Sequence, residues 1–431
     1  MSILARMEAS ARILALVKLA NVGLVLIWGF AVTFVFVRVL PLAEFQAFLL
    51  LVAFGNFTIS AEFGLTSIIY ARLRRHWLGG DQADGGFRLE EMGVLFLFLG
   101  LIVAGGTAIL IGALTLGWFD TAMPLLFLLF FLSACLNLPA LLAKRALAAV
   151  DGNFLWEALD CGRRVLTIAL LLAILLGMDP RLSIALQLAV SLLVIGWAIA
   201  HVHQRLEMNT RHWLAFRVGG GHVRAHYLRD IGASAAFTAS DIIAYNAPYF
   251  TIAMVTSDAR PMLIFDFFFK MSRALSMLVR AVVEAALPRI TRAYHAGDRA
   301  RLRQLLARSL GAGLVFALLL SALLLGAGGW LFTTLFDGRA TIDRTELALI
   351  VAALAALTII CVSVYVQGAL GRFSTLLHRS LPFLAGSLAS APLALALTPQ
   401  GFDLTFLGLY TLTLAGAAIL HLLSLQRLAR T

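Results

Sequence analysis

Apolar runs of about twenty residues, separated by short charged breaks, recur along the whole chain. A helix of that length rises about 30 Å, the thickness of a bilayer's hydrocarbon core. The pattern predicts spans near 19–37, 46–70, 92–117, 121–142, 156–178 and 182–203. Six more follow near 229–254, 261–287, 309–335, 346–370, 378–398 and 403–425. The fifth is the least regular, because only Val165–Met178 is uninterrupted and a basic, partly amphipathic stretch, Lys144–Arg164, leads into it. The expected fold class is all-α, a polytopic integral membrane protein of about 12 transmembrane helices.

The longest breaks fall at 71–91, 204–228 and 288–308. The middle one divides the chain into an N-lobe of helices 1–6 (1–203), a basic linker (204–228) and a C-lobe of helices 7–12 (229–431). A shift of about 217 residues lays Glu44-Phe45 through Gly80-Asp81 over Pro261-Met262 through Gly297-Asp298. Both segments read as outward loop, apolar helix, arginine-rich exit and Gly-Asp. Two repeated six-helix lobes around a central cavity are a common transporter plan.

Composition agrees, with 61% of the 431 residues apolar and only 13% charged. Soluble domains carry roughly 45–50% and about 25%. The net charge of +11 would suggest nucleic acid in a soluble protein. Its distribution gives a better account. With the N-terminus inside, inward segments hold 26 lysines and arginines, against five outward: Arg38, Arg181, Arg260, Arg339 and Arg344. That asymmetry places both termini in the cytoplasm and removes nucleic acid as a partner. Arginine outnumbers lysine 31 to 3, which suggests a GC-rich bacterial source and hence the inner membrane. Leu19–Val37 is too long for the core of a cleavable signal.

Enzyme chemistry finds no foothold. Cys135, Cys161 and Cys361 are scattered among apolar segments, so neither a disulfide framework nor a cysteine metal site is expected. Lys18, Lys144 and Lys270 follow Val17, Ala143 and Phe269, so no Gly-Lys-Ser/Thr phosphate loop exists. HExxH, GxSxG and DxD are absent too, and the outward loops are too short for a catalytic domain. No cofactor or metal is expected.

Charges inside the membrane are costly and by default face a cavity or a partner. In helix eight, Asp266, Lys270, Arg273, Arg280 and Glu284 are spaced 4, 3, 7 and 4 apart. At about 100° per residue they lie within roughly 40° of one line, spread over about 27 Å of rise. This face cannot meet lipid. Asp266–Lys270 and Arg280–Glu284 can be plain i,i+4 pairs, which leaves Arg273 over; alternatively Lys270, Arg273 and Arg280 line a cavity and bind substrate. Glu62 in helix two and Asp241 in helix seven are charge partners for these cations, or else proton or sodium sites. His201, His203, His212, His222 and His226 read as solvated surface, and Gln367, Arg372 and His378 as interfacial.

At this point the residues resemble a family. Arg38-Val39-Leu40-Pro41-Leu42-Ala43-Glu44-Phe45, an apolar helix, then Glu62-Phe63-Gly64-Leu65 and an arginine-rich exit, is similar to the opening of polysaccharide and O-antigen flippases. These belong to the multidrug/oligosaccharidyl-lipid/polysaccharide exporter superfamily. Asp241 resembles their recurrent acidic position, and Leu287-Pro288-Arg289-Ile290 followed by Gly297-Asp298 their helix-eight exit. The amphipathic Lys144–Asp160 stretch resembles them as well. The resemblance implies ion-driven alternating access, as an antiporter, carrying an undecaprenyl-diphosphate-linked oligosaccharide to the periplasmic leaflet for lipopolysaccharide or exopolysaccharide synthesis. It implies a lipid-linked oligosaccharide, membrane lipids, and polysaccharide polymerase and chain-length proteins as partners. Arg273 and Arg280, helped by Lys270, would hold the diphosphate. Two alternatives stand beside it: a cation-coupled drug exporter of the same superfamily, and a membrane glycan polymerase or ligase. The short outward loops weigh against the polymerase, and the absence of a carboxylate in Leu19–Val37 weighs against the drug exporter.

Overall fold

Lipid offers backbone N–H and C=O groups no water, so a chain this apolar must close its hydrogen bonds within each segment. The computed structural model describes residues 11–62, 65–79 and 86–430, and every regular element among them is a helix. Phe63-Gly64, Gly80-Asp81 and the His226 side chain lie outside the described residues.

The chain folds as two compact units, divided between Ala235 and Ala236. The first holds α1 (Ala11–Val39), α2 (Leu42–Ser60), α3 (Leu65–Trp77), α4 (Glu90–Thr115), α5 (Pro124–Cys135), α6 (Asn137–Ala149), α7 (Asn153–Ala173), α8 (Pro180–Arg205), α9 (Thr210–Leu214) and the start of α10 (Phe216–Val255). The second holds the rest of α10, then α11 (Arg260–His295), α12 (Arg299–Leu335), α13 (Arg344–Ala369), α14 (Phe373–Leu397) and α15 (Phe402–Leu428). Among the described residues, nine stretches are long and apolar enough to cross a membrane, α5 and α6 together forming one of them. The other three expected spans fall on α7, α10 and α11, whose 21, 40 and 36 residues suffice in length but carry polar and charged groups. The chain is a multi-pass membrane protein.

Three segments depart from the apolar pattern, each for a local reason. The expected second span breaks after Ser60, and the Glu62 carboxylate accepts from Thr66 N at 3.0 Å, capping the start of α3. The expected fourth span bends at Leu136, because Pro139 in the first turn of α6 has no N–H to continue the ladder. Most of the stretch 204–228 is helical, as α9 and the first turns of α10. Gly219 explains its position: a Cβ there would lie 2.7 Å from Glu90 O, so α10 runs hard against α4.

Turns are closed by cap chemistry. Gly297 ends α11 at φ +68, and Asp298 opens α12 by accepting from Arg301 N at 2.9 Å. Gly297-Asp298 is thus one helix's stop and the next one's start. Asp151, at φ +63 between α6 and α7, accepts from Arg74 Nη1 at 2.5 Å and Trp77 Nε1 at 2.8 Å. Burial alone would raise its carboxyl, but those hydrogen bonds, with the positive charges of Arg74 and Arg205, outweigh it and hold the group below its usual value.

Aromatic rings fill the interior of each unit. Phe36 stacks on Phe48 at 4.5 Å, and Phe130 meets Phe48 edge-on at 4.6 Å. In the second unit Tyr249, Phe265 and Tyr410 meet at 4.9–5.5 Å. Leucines point outward instead: Leu318 and Leu319 of α12 are 68% and 63% exposed, as lipid-facing residues should be. Close helix approach is tightest at Gly386, where a Cβ would overlap the Thr413 side chain. Gly386→Ala is expected to destabilise by about 1–3 kcal/mol. Gly416→Ala, with open space around it, should leave the thermal unfolding midpoint in detergent where it was.

Candidate functional site

The second unit gathers the charges that α11 carries through the membrane. Asp266 is 1% exposed; it accepts from the Tyr249 hydroxyl at 2.7 Å and pairs with Lys270. One turn on, Arg273 is exposed, with its guanidinium 5.5 Å from the Phe269 ring centroid. It has no carboxylate partner among the described residues. Arg280 and Glu284 pair at 2.7 Å, both about half exposed (53% and 51%), and the Arg280 guanidinium lies 5.8 Å from the Tyr365 ring. Met271, Ser272, Leu275, Val279 and Val283 form the buried side of the same helix. Arg273, Arg280 and Glu284 therefore stand on an uncovered face of the helix, while Asp266 and Lys270 are packed inside the unit.

Asp241 sits on α10, in reach of Tyr245 one turn on and of Tyr410, Tyr365 and Cys361 from α15 and α13. Neither a hydrogen bond nor an ion pair reaches its carboxyl among the described residues. The hydroxyl of Ser240, its neighbour in the chain, is buried and likewise without a hydrogen-bond partner among the described residues. Beyond it Pro248 removes the N–H that would bond Ala244 O, and Ser387 Oγ of α14 donates to that carbonyl at 2.5 Å instead. The break in the ladder is thus stabilised from a neighbouring helix.

Of the expected site residues, the structure joins Asp266 to Lys270 and Arg280 to Glu284. Arg273 and Asp241 are unpaired among the described residues, and Glu62 serves as the cap of α3.

The first unit holds a cluster that sequence reasoning missed. Glu157 and Asp160 of α7 are each 3% exposed, and Asn21 Nδ2 of α1 donates to both, at 2.7 and 2.9 Å. Asp160 also pairs with Arg163 at 2.6 Å and Arg164 at 2.9 Å, while Lys144 reaches Glu157 at 3.1 Å. Asn21 Oδ1 is buried without a hydrogen-bond partner. The helix is inside out: it buries these charges and exposes Val165 and Leu166 at 54% and 47%. The 157, 160, 163/164 spacing was the available signal, read above only as a basic amphipathic stretch.

Two smaller expectations need correction. His222 is not surface; it is 8% exposed and lies 3.1 Å from the fully buried Glu91. Gln367 is not interfacial; it is fully buried, donates to Ser363 Oγ at 2.6 Å and accepts from Ser424 at 3.1 Å.

No protein-family model matches the sequence, and no curated protein matches it significantly. Solved structures do match in fold. A MATE transporter of Vibrio cholerae in its bent form is 19% identical, with a TM-score of 0.61 over 97% of this chain and 96% of its own. A eukaryotic MATE transporter is 15% identical, with a TM-score of 0.63 over 95% of each chain. An inward-facing multidrug resistance MATE family transporter of the MOP superfamily is 12% identical, with a TM-score of 0.64 over 97% and 96%. The chain has the two-lobed fold of these multidrug and toxic compound extrusion transporters, which are not enzymes.

These neighbours overturn the resemblance to polysaccharide flippases, and with it the lipid-linked oligosaccharide as cargo. The misleading residues are architectural. Arg38 Nη1 donates to Phe34 O at 2.7 Å at the end of α1, and Glu44 accepts from Ala122 N at 2.6 Å, tying the first turn of α2 to the loop before α5. Gly297-Asp298 is a helix stop and start. These contacts shape the loops and helix ends of this chain and say nothing about what is carried.

Proposed function

We propose that the chain is a cation-coupled exporter of small molecules, and that Asp241 is the group through which the cation acts. The observation that carries this reading is the isolation of Asp241, a carboxyl at bilayer depth with no ion pair or hydrogen bond among the described residues. A charged carboxylate at bilayer depth without a partner is costly, and binding a proton or a metal cation removes that cost. A site that is stable only when occupied gives a gradient something to act on. The neighbours' titles, one naming multidrug resistance, support a small solute as cargo. The arginine-rich inward segments support an orientation with both termini in the cytoplasm of a bacterial inner membrane.

Asp241→Asn keeps the shape and removes the ionisable group. In everted vesicles under an imposed proton or sodium gradient, it is expected to reduce gradient-driven dye accumulation to background. Its unfolding in detergent should stay within about 0.5 kcal/mol of the parent, since no paired charge is lost. A variant that still concentrates the same dyes would remove Asp241 from the coupling step.

A further inference from the structure

The charges of α11 do not cancel equally. Lys270 is taken up by Asp266, which also holds the Tyr249 hydroxyl, and Arg280 by Glu284. Arg273 alone of the helix's membrane-depth cations lacks a carboxylate among the described residues. It stands roughly 20 Å of helical rise from Arg260 and about as far from Leu287, the middle of the expected span. A side chain there cannot snorkel to either interface, and a charge at that depth against lipid is prohibitive. Arg273 must therefore lie in a watery path, where it is a fixed positive charge on the uncovered face of its helix.

Its immediate surroundings add selectivity. The guanidinium lies over Phe269 and makes no hydrogen bond among the described residues; Arg280 lies over Tyr365 two turns on, but its Nε is taken by Glu284. A planar cation on an aromatic ring, with its donor edge free, suits a bidentate oxyanion joined to an apolar body. A cationic solute would meet like charge at this position.

Resting on the exporter reading, we propose that the solute carries a carboxylate, phosphate or sulfonate on an apolar or aromatic body, and that Arg273 is its counter-ion. The same group is presented by a free organic anion or by an anionic lipid headgroup.

The test uses the purified full chain in neutral detergent and in phosphatidylcholine vesicles, with carboxyfluorescein, ethidium and phosphatidylglycerol as probes. For the parent, carboxyfluorescein is expected to raise the unfolding temperature and to be transported. Arg273→Gln should weaken its apparent affinity about tenfold to hundredfold, and Arg273→Lys less. Stabilisation by phosphatidylglycerol alone, lost in Arg273→Gln, would identify the anion as a lipid and support the inference equally. The inference is overturned if ethidium binds and moves while both anions are without effect, or if Arg273→Gln responds to the anions as the parent does. Carboxyfluorescein binding that depends on Arg273, with no transport of any probe by the parent, would keep the site and sink the exporter reading instead.

Discussion

Asp160→Ala is expected to destabilise the protein by about 3–5 kcal/mol, a large part of the roughly 5–15 kcal/mol that holds a typical fold. The Asp160 carboxylate collects four donors: two from Arg163, one from Arg164 and one from Asn21. Removing it leaves Arg163, itself 8% exposed, as a buried charge with only Ser191 Oγ at 3.4 Å among the described residues. The cost is therefore that of an orphaned cation and not simply of one lost hydrogen bond. Asn21→Leu should cost less, about 1–3 kcal/mol, because Asp160 keeps both arginines and Glu157 keeps Lys144. Unfolding in detergent, with Asp160→Ala combined with Arg163→Met, checks the mechanism. If the double variant recovers part of the loss, the orphaned charge is the cause; if Asp160→Ala alone falls within about 1 kcal/mol of the parent, water or lipid headgroups already screen the cluster.

That cluster marks where a sequence stops being readable. The spans were legible because lipid imposes one length and one composition on every crossing segment, so α4, α8 and α13 lie within a few residues of their expected positions. The pairs on α11 were legible because i,i+4 neighbours are fixed by helix geometry alone. Asn21 was not, since its partners lie 136 and 139 residues away and only the packing of α1 on α7 joins them. The break after Ser60 was hidden as well, because Glu62 looks like a membrane charge until its carboxylate is seen capping α3. Cargo was the least legible feature: Arg38, Glu44 and Gly297-Asp298, which helped carry the flippase resemblance, close loops and cap helices, contacts that say nothing of cargo.

Lys270→Met is expected to cost about 3–5 kcal/mol, and adding Asp266→Asn should return most of it. Asp266, at 1% exposure, would keep only the Tyr249 hydroxyl once Lys270 is gone, and one neutral donor cannot balance a buried carboxylate. Neutralising both partners removes the imbalance while preserving the Tyr249 contact. Asp241 differs in kind: it has no partner among the described residues to orphan, so Asp241→Asn should be silent in stability and severe in transport. The two carboxylates are thus separated by stability and transport measured on the same variants, one bracing α10 against α11 and the other available to a cation. Should Lys270→Met unfold at the parent's temperature, Asp266 must already be neutralised by a proton when Lys270 is absent. It would then join Asp241 as a second cation-responsive group in the unit, and the Asp266–Lys270 pair would be a switchable contact rather than a brace.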